Sequence, residues 1–286
     1  MISKAISGAF LAVLALAAQA QVWSGDDGVT PYVQSPMDVV ERMLRLAEPK
    51  AGEYLIDLGS GDGRIVVEAA KRYRTSGLGV DLDPRLVALA QENARKAGVE
   101  ALAKFEVRDL FELDLGRADI VTAYLLPEVN AKLMPRLLQL KPGTRIVTHD
   151  YDMGPWHYDE MIDLPVAEKL VGPLGHSKIF LFLVPADVRG EWRSELPEQG
   201  GAWQFRIGQS YQDLQIAASA GGLQQRVRGS RLRGEEIRMV ATGVVGDRAW
   251  NHAFRGTVKG ERIEGTVTIS NGESSRTLPW LATRTR

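Results

Sequence analysis

The 286-residue chain contains no cysteine. That excludes disulfides and thiolate metal sites, and it excludes a lipid anchor on a cysteine behind the apolar N-terminus. The four histidines never stand in H-x-x-x-H spacing, so no metal site is expected. Charge of one sign is not in excess: 35 basic and 36 acidic side chains leave a formal net charge of −1. Nothing in that balance points to a nucleic-acid backbone as partner. The apolar run from Ile6 to Ala18 is too short to span a bilayer. It follows a positive start, Met1 to Lys4, and ends in the small-x-small triplet Ala18-Gln19-Ala20, which predicts a secretory signal peptide cut after Ala20. Residues 1–20 are therefore expected to be removed, with a polar leader over 21–35 and an exported, periplasmic product. A signal that does not function would leave the chain in the cytoplasm.

What is present is concentrated in residues 54–64, Tyr-Leu-Ile-Asp-Leu-Gly-Ser-Gly-Asp-Gly-Arg. The apolar part reads as a buried parallel strand. Gly59, Gly61 and Gly63 let the backbone turn tightly and approach a ligand, with Ser60 and Asp62 between them. Ile65, Val66, Ala69, Ala70 and Tyr73 then share one face of a helix. A strand, a glycine turn and a helix N-terminus make a nucleotide-type binding corner.

The spacing G-x-G-x-G is neither the dinucleotide pattern G-x-G-x-x-G nor a P-loop, since no lysine follows the glycines. Asp57 and Asp62 flank the turn, and carboxylates there would repel a pyrophosphate but suit a cationic amine. S-adenosylmethionine (SAM) carries such an ammonium, beside its carboxylate and sulfonium. A second strand ends in Asp81-Leu82, about 20 residues on, where an acid can accept from both ribose hydroxyls. Asp83-Pro84 reads as N-cap and first position of a helix that stops at Gly98. A third strand, Ala103 to Arg108, leads to Asp109-Leu110, an acid for the adenine amino group and an apolar wall beside it.

Over residues 30–184 the chain resembles the class I SAM-dependent methyltransferases: Asp57-x-Gly59-x-Gly61-x-Gly63 looks like their first motif, Asp81 like their ribose acid and Asp109 like their adenine-side acid. Pro31-Tyr32-Val33-x-Ser35-Pro36 and Tyr124-Leu-Leu-Pro-Glu128 are similar to bacterial relatives of the ATP synthase c-subunit lysine methyltransferase group. The resemblance implies SAM as cofactor and a protein lysine amine as acceptor. Methylation of a small molecule is the rival reading. An exported SAM- or nucleoside-binding protein without turnover, whose β-rich tail binds a partner, is the reading from a different class. Export favours that last one, because SAM is made in the cytoplasm; the intact acids favour catalysis.

The expected architecture is α/β. A Rossmann-like seven-stranded methyltransferase sheet over 36–185 has strands near 54–58, 78–81, 103–108, 119–124 and 144–149, plus an edge hairpin over Met161–Val171 and Lys178–Val184. Ser35-Pro36 is expected to cap a first helix, Met37 to Ala47. From 187 to 286 helical periodicity gives way to seven short alternating strands, beginning at Trp203, with turns such as Gly221-Gly222, Lys259-Gly260 and Asn271-Gly272. This predicts a smaller all-β antiparallel barrel or sandwich, with Trp203, Trp250 and Trp280 in its core or mouth.

At the C-terminal edge of the sheet, Tyr124 is expected to form an aromatic wall for a cation and Glu128 to draw in a lysine and accept its proton; Glu128 also suits an ordinary first helical turn. Asn130 follows on the same segment. His149 and Asp150 can be a general-base pair or scaffold, and Tyr32 a cover for the cofactor or a packing residue. Tyr151, Trp156, His157 and Tyr158 can form a substrate lip.

Overall fold

The computed structural model describes residues 32–167, 169, 175–196, 201–245 and 248–285. The expected signal peptide lies outside the described residues. Of the segment before Ser35 only residues 32–34 are described, where Gln34 Nε2 donates to the Tyr32 hydroxyl at 3.0 Å. Ser35–Arg286 forms one unit.

Helix α1 (Met37–Ala47) buries Val39, Val40, Met43, Leu44 and Ala47, the apolar face its spacing dictates. Ser35 does not cap it. The Ser35 hydroxyl instead lies 2.8 Å from the buried His149 Nδ1, and the helix starts at Pro36 without a side-chain cap. Strands β1 (Tyr54–Leu58), β2 (Ser76–Asp81), β3 (Ala103–Val107), β4 (Ile120–Ala123) and β5 (Arg145–His149) alternate with α2 (Arg64–Tyr73), α3 (Pro84–Lys96) and α4 (Pro127–Leu137). These five strands are parallel. With the hairpin of β6 (Glu160–Pro165) and β7 (His176–Leu183) they form a seven-stranded sheet in the order β3-β2-β1-β4-β5-β7-β6, β7 running antiparallel to both its neighbours. Successive residues of β1 serve opposite cores. Leu55 packs with Val39, Met43, Val66 and Ala90 of α1–α3 on one face, and Ile56 with Leu133 and Leu137 of α4, Leu113 and Trp156 on the other.

The C-terminal part is a closed eight-stranded antiparallel barrel. Its strands are β8 (Gly190–Leu196), β9 (Gly201–Ser210), β10 (Asp213–Ala220), β11 (Leu223–Arg233), β12 (Glu236–Val245), β13 (Arg248–Lys259), β14 (Arg262–Ser270) and β15 (Ser275–Arg284). β8 is not among the strands expected from the sequence, and it is the one that closes the barrel, by pairing with both β9 and β15. Trp192, Trp203, Phe205, Phe254 and Trp280 fill the interior, and Trp250 is half-buried. Trp280 has room because Gly256 and Gly265 stand opposite each other: a Cβ on Gly256 would come within 3.0 Å of its ring. Apolar side chains point in and polar ones out, the reverse of a membrane-spanning barrel. Among the described residues no helix is long and apolar enough to cross a membrane.

The barrel hangs from the edge at which the parallel strands begin. Ala186 N–H donates to the Gly234 carbonyl at 2.9 Å, and the Asp213 carboxylate lies 3.3 Å from His157 Nδ1. An open groove of about 780 Å³ runs along this junction, lined by Arg42, Lys141, Arg145, Arg233 and Glu235 among others. Its Lys141 and Arg145 are paired with Asp119 and Glu53. The acids singled out in the sequence are at the other edge, which the barrel leaves open.

Candidate active site

Five strand ends meet at the C-terminal edge of the sheet, and each carries a polar residue onto it: Asp57, Asp81, Asp109 (two residues beyond β3), Tyr124 and Asp150. The glycine turn is held between β1 and α2. Gly59 and Ser60 N–H both donate to the Val80 carbonyl, at 3.0 and 2.9 Å, and Gly63 N–H returns to Ser60 O at 2.9 Å. Gly59, Gly61 and Gly63 have φ of +74°, +52° and +78°, the left-handed region in which only glycine is unstrained. At Gly63 space is also limiting. A Cβ there would lie 2.6 Å from the Phe105 ring and 2.8 Å from Ala90. Gly63→Ala should therefore cost about 2–5 kcal/mol by urea denaturation, from backbone strain plus overpacking. Gly52→Ala, at φ +88° in open space, should cost about 1–2 kcal/mol, from strain alone. Equal losses would mean that the Phe105 contact is immaterial.

Asp57 lies under the turn, 2% exposed, and accepts from the Thr122 hydroxyl at 2.7 Å. Burial pushes its carboxyl up to about 7; the Thr122 hydrogen bond works against this, and the negative charges of Asp81 and Asp62 add to it. Asp62 is held by Arg64, whose Nε and terminal nitrogen reach its two oxygens at 2.9 and 2.6 Å; Arg64 also donates to the Ser35 carbonyl at 2.7 Å. Asp81 accepts Gly61 N–H on one oxygen and Asp83 N–H on the other, at 2.9 and 3.0 Å, so the carboxylate is fixed and each oxygen keeps a further lone pair. Asp109 accepts from Phe111 N–H at 2.8 Å. Leu82 and Val107 are each 54% exposed, and Leu110 is half-buried. They form the apolar flank of this edge.

These residues fit SAM on two observations. Among the described residues the Ser60 hydroxyl is buried without a hydrogen-bond partner, and α2 begins at Gly63 without a side-chain cap. Donors at a helix N-terminus suit a carboxylate, and the buried acid beneath them suits an ammonium.

A second cluster surrounds the end of β5. Asp150 is 6% exposed with φ +64°, strained for a residue other than glycine. It accepts from the Tyr124 hydroxyl at 2.9 Å, from Lys178 N–H at 3.2 Å and from Lys169 Nζ, which also donates to the His176 carbonyl. Burial, with the Asp150 charge and hydrogen bond added, drives the Tyr124 phenol far above its usual value. The His149 ring lies 3.9 Å from that of Tyr124 and between two hydroxyls, Ser35 Oγ at Nδ1 and Ser177 Oγ at Nε2. Burial pulls the imidazole down to about 4, with Asp150 raising it and Lys169 lowering it. With both ring nitrogens engaged by hydroxyls, the geometry favours the scaffold role for His149 over the general-base role. Glu128 stands exposed in the first turn of α4, with no hydrogen bond or ion pair among the described residues. Asn130 is turned away to the carbonyls of Tyr151 and Asp152.

Two of the four residues of the expected substrate lip are placed elsewhere. Trp156 is fully buried against Phe182, and His157 faces Asp213 of the barrel. Conversely, Lys169, Ser177 and Thr122 complete the clusters without having been marked by any local pattern.

The ANTKMT methyltransferase domain family model matches residues 57–160. A protein-lysine N-methyltransferase of Saccharolobus islandicus is 40% identical over 134 residues, 46% of this chain and 83% of that protein. The mouse ATP synthase c-subunit lysine N-methyltransferase is 31% identical over 160 residues, covering 56% of this chain and 64% of its own length, so the chain spans just under two thirds of that relative. Among solved structures, an RNA methyltransferase from Salinibacter ruber in complex with S-adenosyl-L-homocysteine is 44% identical over 55% of this chain and 96% of that one, with a TM-score of 0.50.

Proposed function

The chain belongs to the family of the ANTKMT methyltransferase domain, SAM-dependent methyltransferases, and from that premise we propose that its acceptor is the side-chain amine of a protein lysine. The observation that carries the proposal is the charge of the open edge. Asp81, Asp109, Glu112 and Glu128 lie on it or beside it, an arrangement that attracts an amine and repels a polyphosphate backbone. The 40% identity to the protein-lysine N-methyltransferase of Saccharolobus islandicus supports the same acceptor. The RNA methyltransferase from Salinibacter ruber supports an RNA acceptor instead, and the acids weigh against it.

When bound, SAM supplies an electrophilic methyl group on its sulfonium. In this proposal Asp57, the Gly59-Ser60-Gly61-Asp62-Gly63 turn and the first turn of α2 hold its amino-acid end. Asp81 and Leu82 hold the ribose; Asp109 and Leu110 hold the adenine. Tyr124, anchored by Asp150, walls the acceptor amine. Glu128 attracts the lysine and takes its proton, because only the neutral amine carries a lone pair. Labelled methyl should pass from SAM to a protein band and appear as methyl-lysine after hydrolysis. Label confined to RNA would replace the acceptor. Cofactor binding without any transfer would favour the binding-protein reading. Removal of residues 1–20 is part of the proposal, and a mature protein that begins at Met1 would remove it.

Asp81→Ala should weaken S-adenosylhomocysteine binding by about 1–3 kcal/mol in calorimetry, the loss of hydrogen bonds to a charged acceptor. Unchanged affinity would take Asp81 out of the ribose site.

A further inference from the structure

The barrel's outer surface carries a feature that methyl transfer does not use. On β11 the residues Arg226, Arg228, Arg231 and Arg233 are all exposed. In a regular strand Arg228 and Arg231 would face opposite sides, because side chains alternate. The β11–β12 register shifts between Arg228 and Arg231, at Gly229 with φ +59°. This bulge re-aims the second half of the strand and sets four arginines on one face. The register then carries the face across β12 and β13: Arg231 opposes Arg238, and Arg238 opposes Arg255. Neighbouring strands are about 5 Å apart and alternate residues about 7 Å, so six guanidinium groups occupy a patch roughly 10 Å wide and 20 Å long.

Folding does not account for it. Arg226, Arg231, Arg238 and Arg255 are exposed and have no carboxylate within ion-pair distance among the described residues, although Arg231 feels the Asp159 charge at longer range. Among the described residues Arg228 reaches only the neutral Asn251. Arg233 is paired loosely, at 3.9 and 3.7 Å from Asp159 and Glu160. Like charges directly opposite one another destabilise a sheet. The bias is specific in kind as well: residues 187–286 hold fifteen basic and eleven acidic side chains, and fourteen of the fifteen are arginine, the residue whose planar fork fits phosphate oxygens.

Between the arginines the outward residues are Val240, Thr242, Asn251 and Ala253, and one acid, Glu236, stands opposite Arg233 at the end of the patch. No aromatic ring is among them, so bases would find no stacking platform. The outward column of β12 ends instead in Val244, 66% exposed, and Leu223 at the nearby β10–β11 hairpin is equally exposed. Cations around protruding aliphatic side chains match a lipid headgroup layer, with phosphates at the surface and hydrocarbon beneath.

We propose that the β11–β12–β13 face of the barrel docks the protein on an anionic phospholipid surface. The full chain should co-sediment with phosphatidylglycerol/phosphatidylcholine vesicles and not with phosphatidylcholine alone. Binding should be lost as salt rises from about 0.1 M to about 1 M and the Debye length contracts from about 10 Å to about 3 Å. Arg231→Glu/Arg238→Glu/Arg255→Glu should weaken vesicle binding at least tenfold while leaving S-adenosylhomocysteine affinity unchanged, which also shows that the variant is folded. The same reversal at Arg193, Arg206 and Arg262, on other strands of the barrel, should weaken it far less. Equal losses in the two triple variants would overturn the proposal. So would equal pelleting with neutral vesicles, or tighter binding to duplex RNA than to the anionic vesicles.

Discussion

Asp57→Asn should make the protein more stable at pH 8 while it weakens cofactor binding. The carboxyl moves from its ordinary 3.8 to about 7 in the folded chain, first because of burial, with Asp81 and Asp62 adding to the shift. The folded state therefore holds this proton more tightly than the unfolded chain does. That contribution to stability is fully present below about pH 3.8 and disappears as pH rises through about 7. Between those limits stability should fall by about 1.4 kcal/mol per pH unit, about 4 kcal/mol in all. Asparagine has nearly the same shape, can still meet the Thr122 hydroxyl and never ionises. Urea denaturation should show the variant more stable than the wild type by up to about 4 kcal/mol at pH 8, by roughly 1.6 kcal/mol at pH 5, and nearly equal to it below about pH 3.8. Binding should move the other way, since an ammonium needs the carboxylate. Wild-type affinity for SAM should fall as pH drops below 7, with proton release visible when calorimetry is repeated in buffers of different protonation enthalpy. A variant that is less stable at pH 8 and at pH 5 would mean that Asp57 is charged and structural in the folded chain.

This tension belongs to the site's design. Asp57, Asp62 and Asp81 are gathered around one glycine turn, which costs stability that the Arg64 guanidinium on Asp62 offsets only in part. Such a corner is legible in sequence because all its parts are local: the glycines, the acid that precedes them and the helix that follows occupy about twenty consecutive residues. The ends of β2 and β3 are legible for the same reason. Each is a short apolar run ending in an acid before a helix start or a turn, and Asp83 does cap α3 by accepting Arg85 N–H. The edge cluster is not legible. Ser35, His149, Asp150, Lys169 and Ser177 meet across 19 to 114 positions, and a histidine beside an aspartate reads equally well as base or scaffold until its partners are in place. Barrel closure is hidden too. β8 alternates Trp192, Ser194 and Leu196 inward with charged residues outward, but only its pairing with β15, some 90 residues on, turns a sheet into a barrel. Net charge misleads in a third way. The sum of −1 averages an acidic cofactor edge against an arginine face on another domain, and a binding surface responds to the local field rather than to the total.

The second large effect is expected at Asp150. Its carboxylate is the acceptor for Lys169, 8% exposed, for the Tyr124 hydroxyl and for Lys178 N–H. Asp150→Ala leaves an ammonium buried without its counter-ion and should cost about 3–5 kcal/mol. It also places at φ +64° a residue that tolerates the left-handed region less well than aspartate does. Replacing both partners, as Asp150→Asn with Lys169→Met, should recover most of the loss, because two neutral groups of similar volume remove the unpaired charge together. Catalysis separates from stability at Tyr124. Tyr124→Phe removes the phenol but leaves Asp150 paired with Lys169, so it should cost about 1 kcal/mol or less of stability. If the ring is held over the acceptor by its bond to Asp150, that variant should lower kcat with little change in S-adenosylhomocysteine affinity. The restored double variant, stable again, should share the slow turnover, because its amide holds the phenol less firmly than a carboxylate does. A double variant with full stability and wild-type turnover would show that the buried pair only staples β7 to the end of β5, and that the tyrosine needs no anchor to do its work.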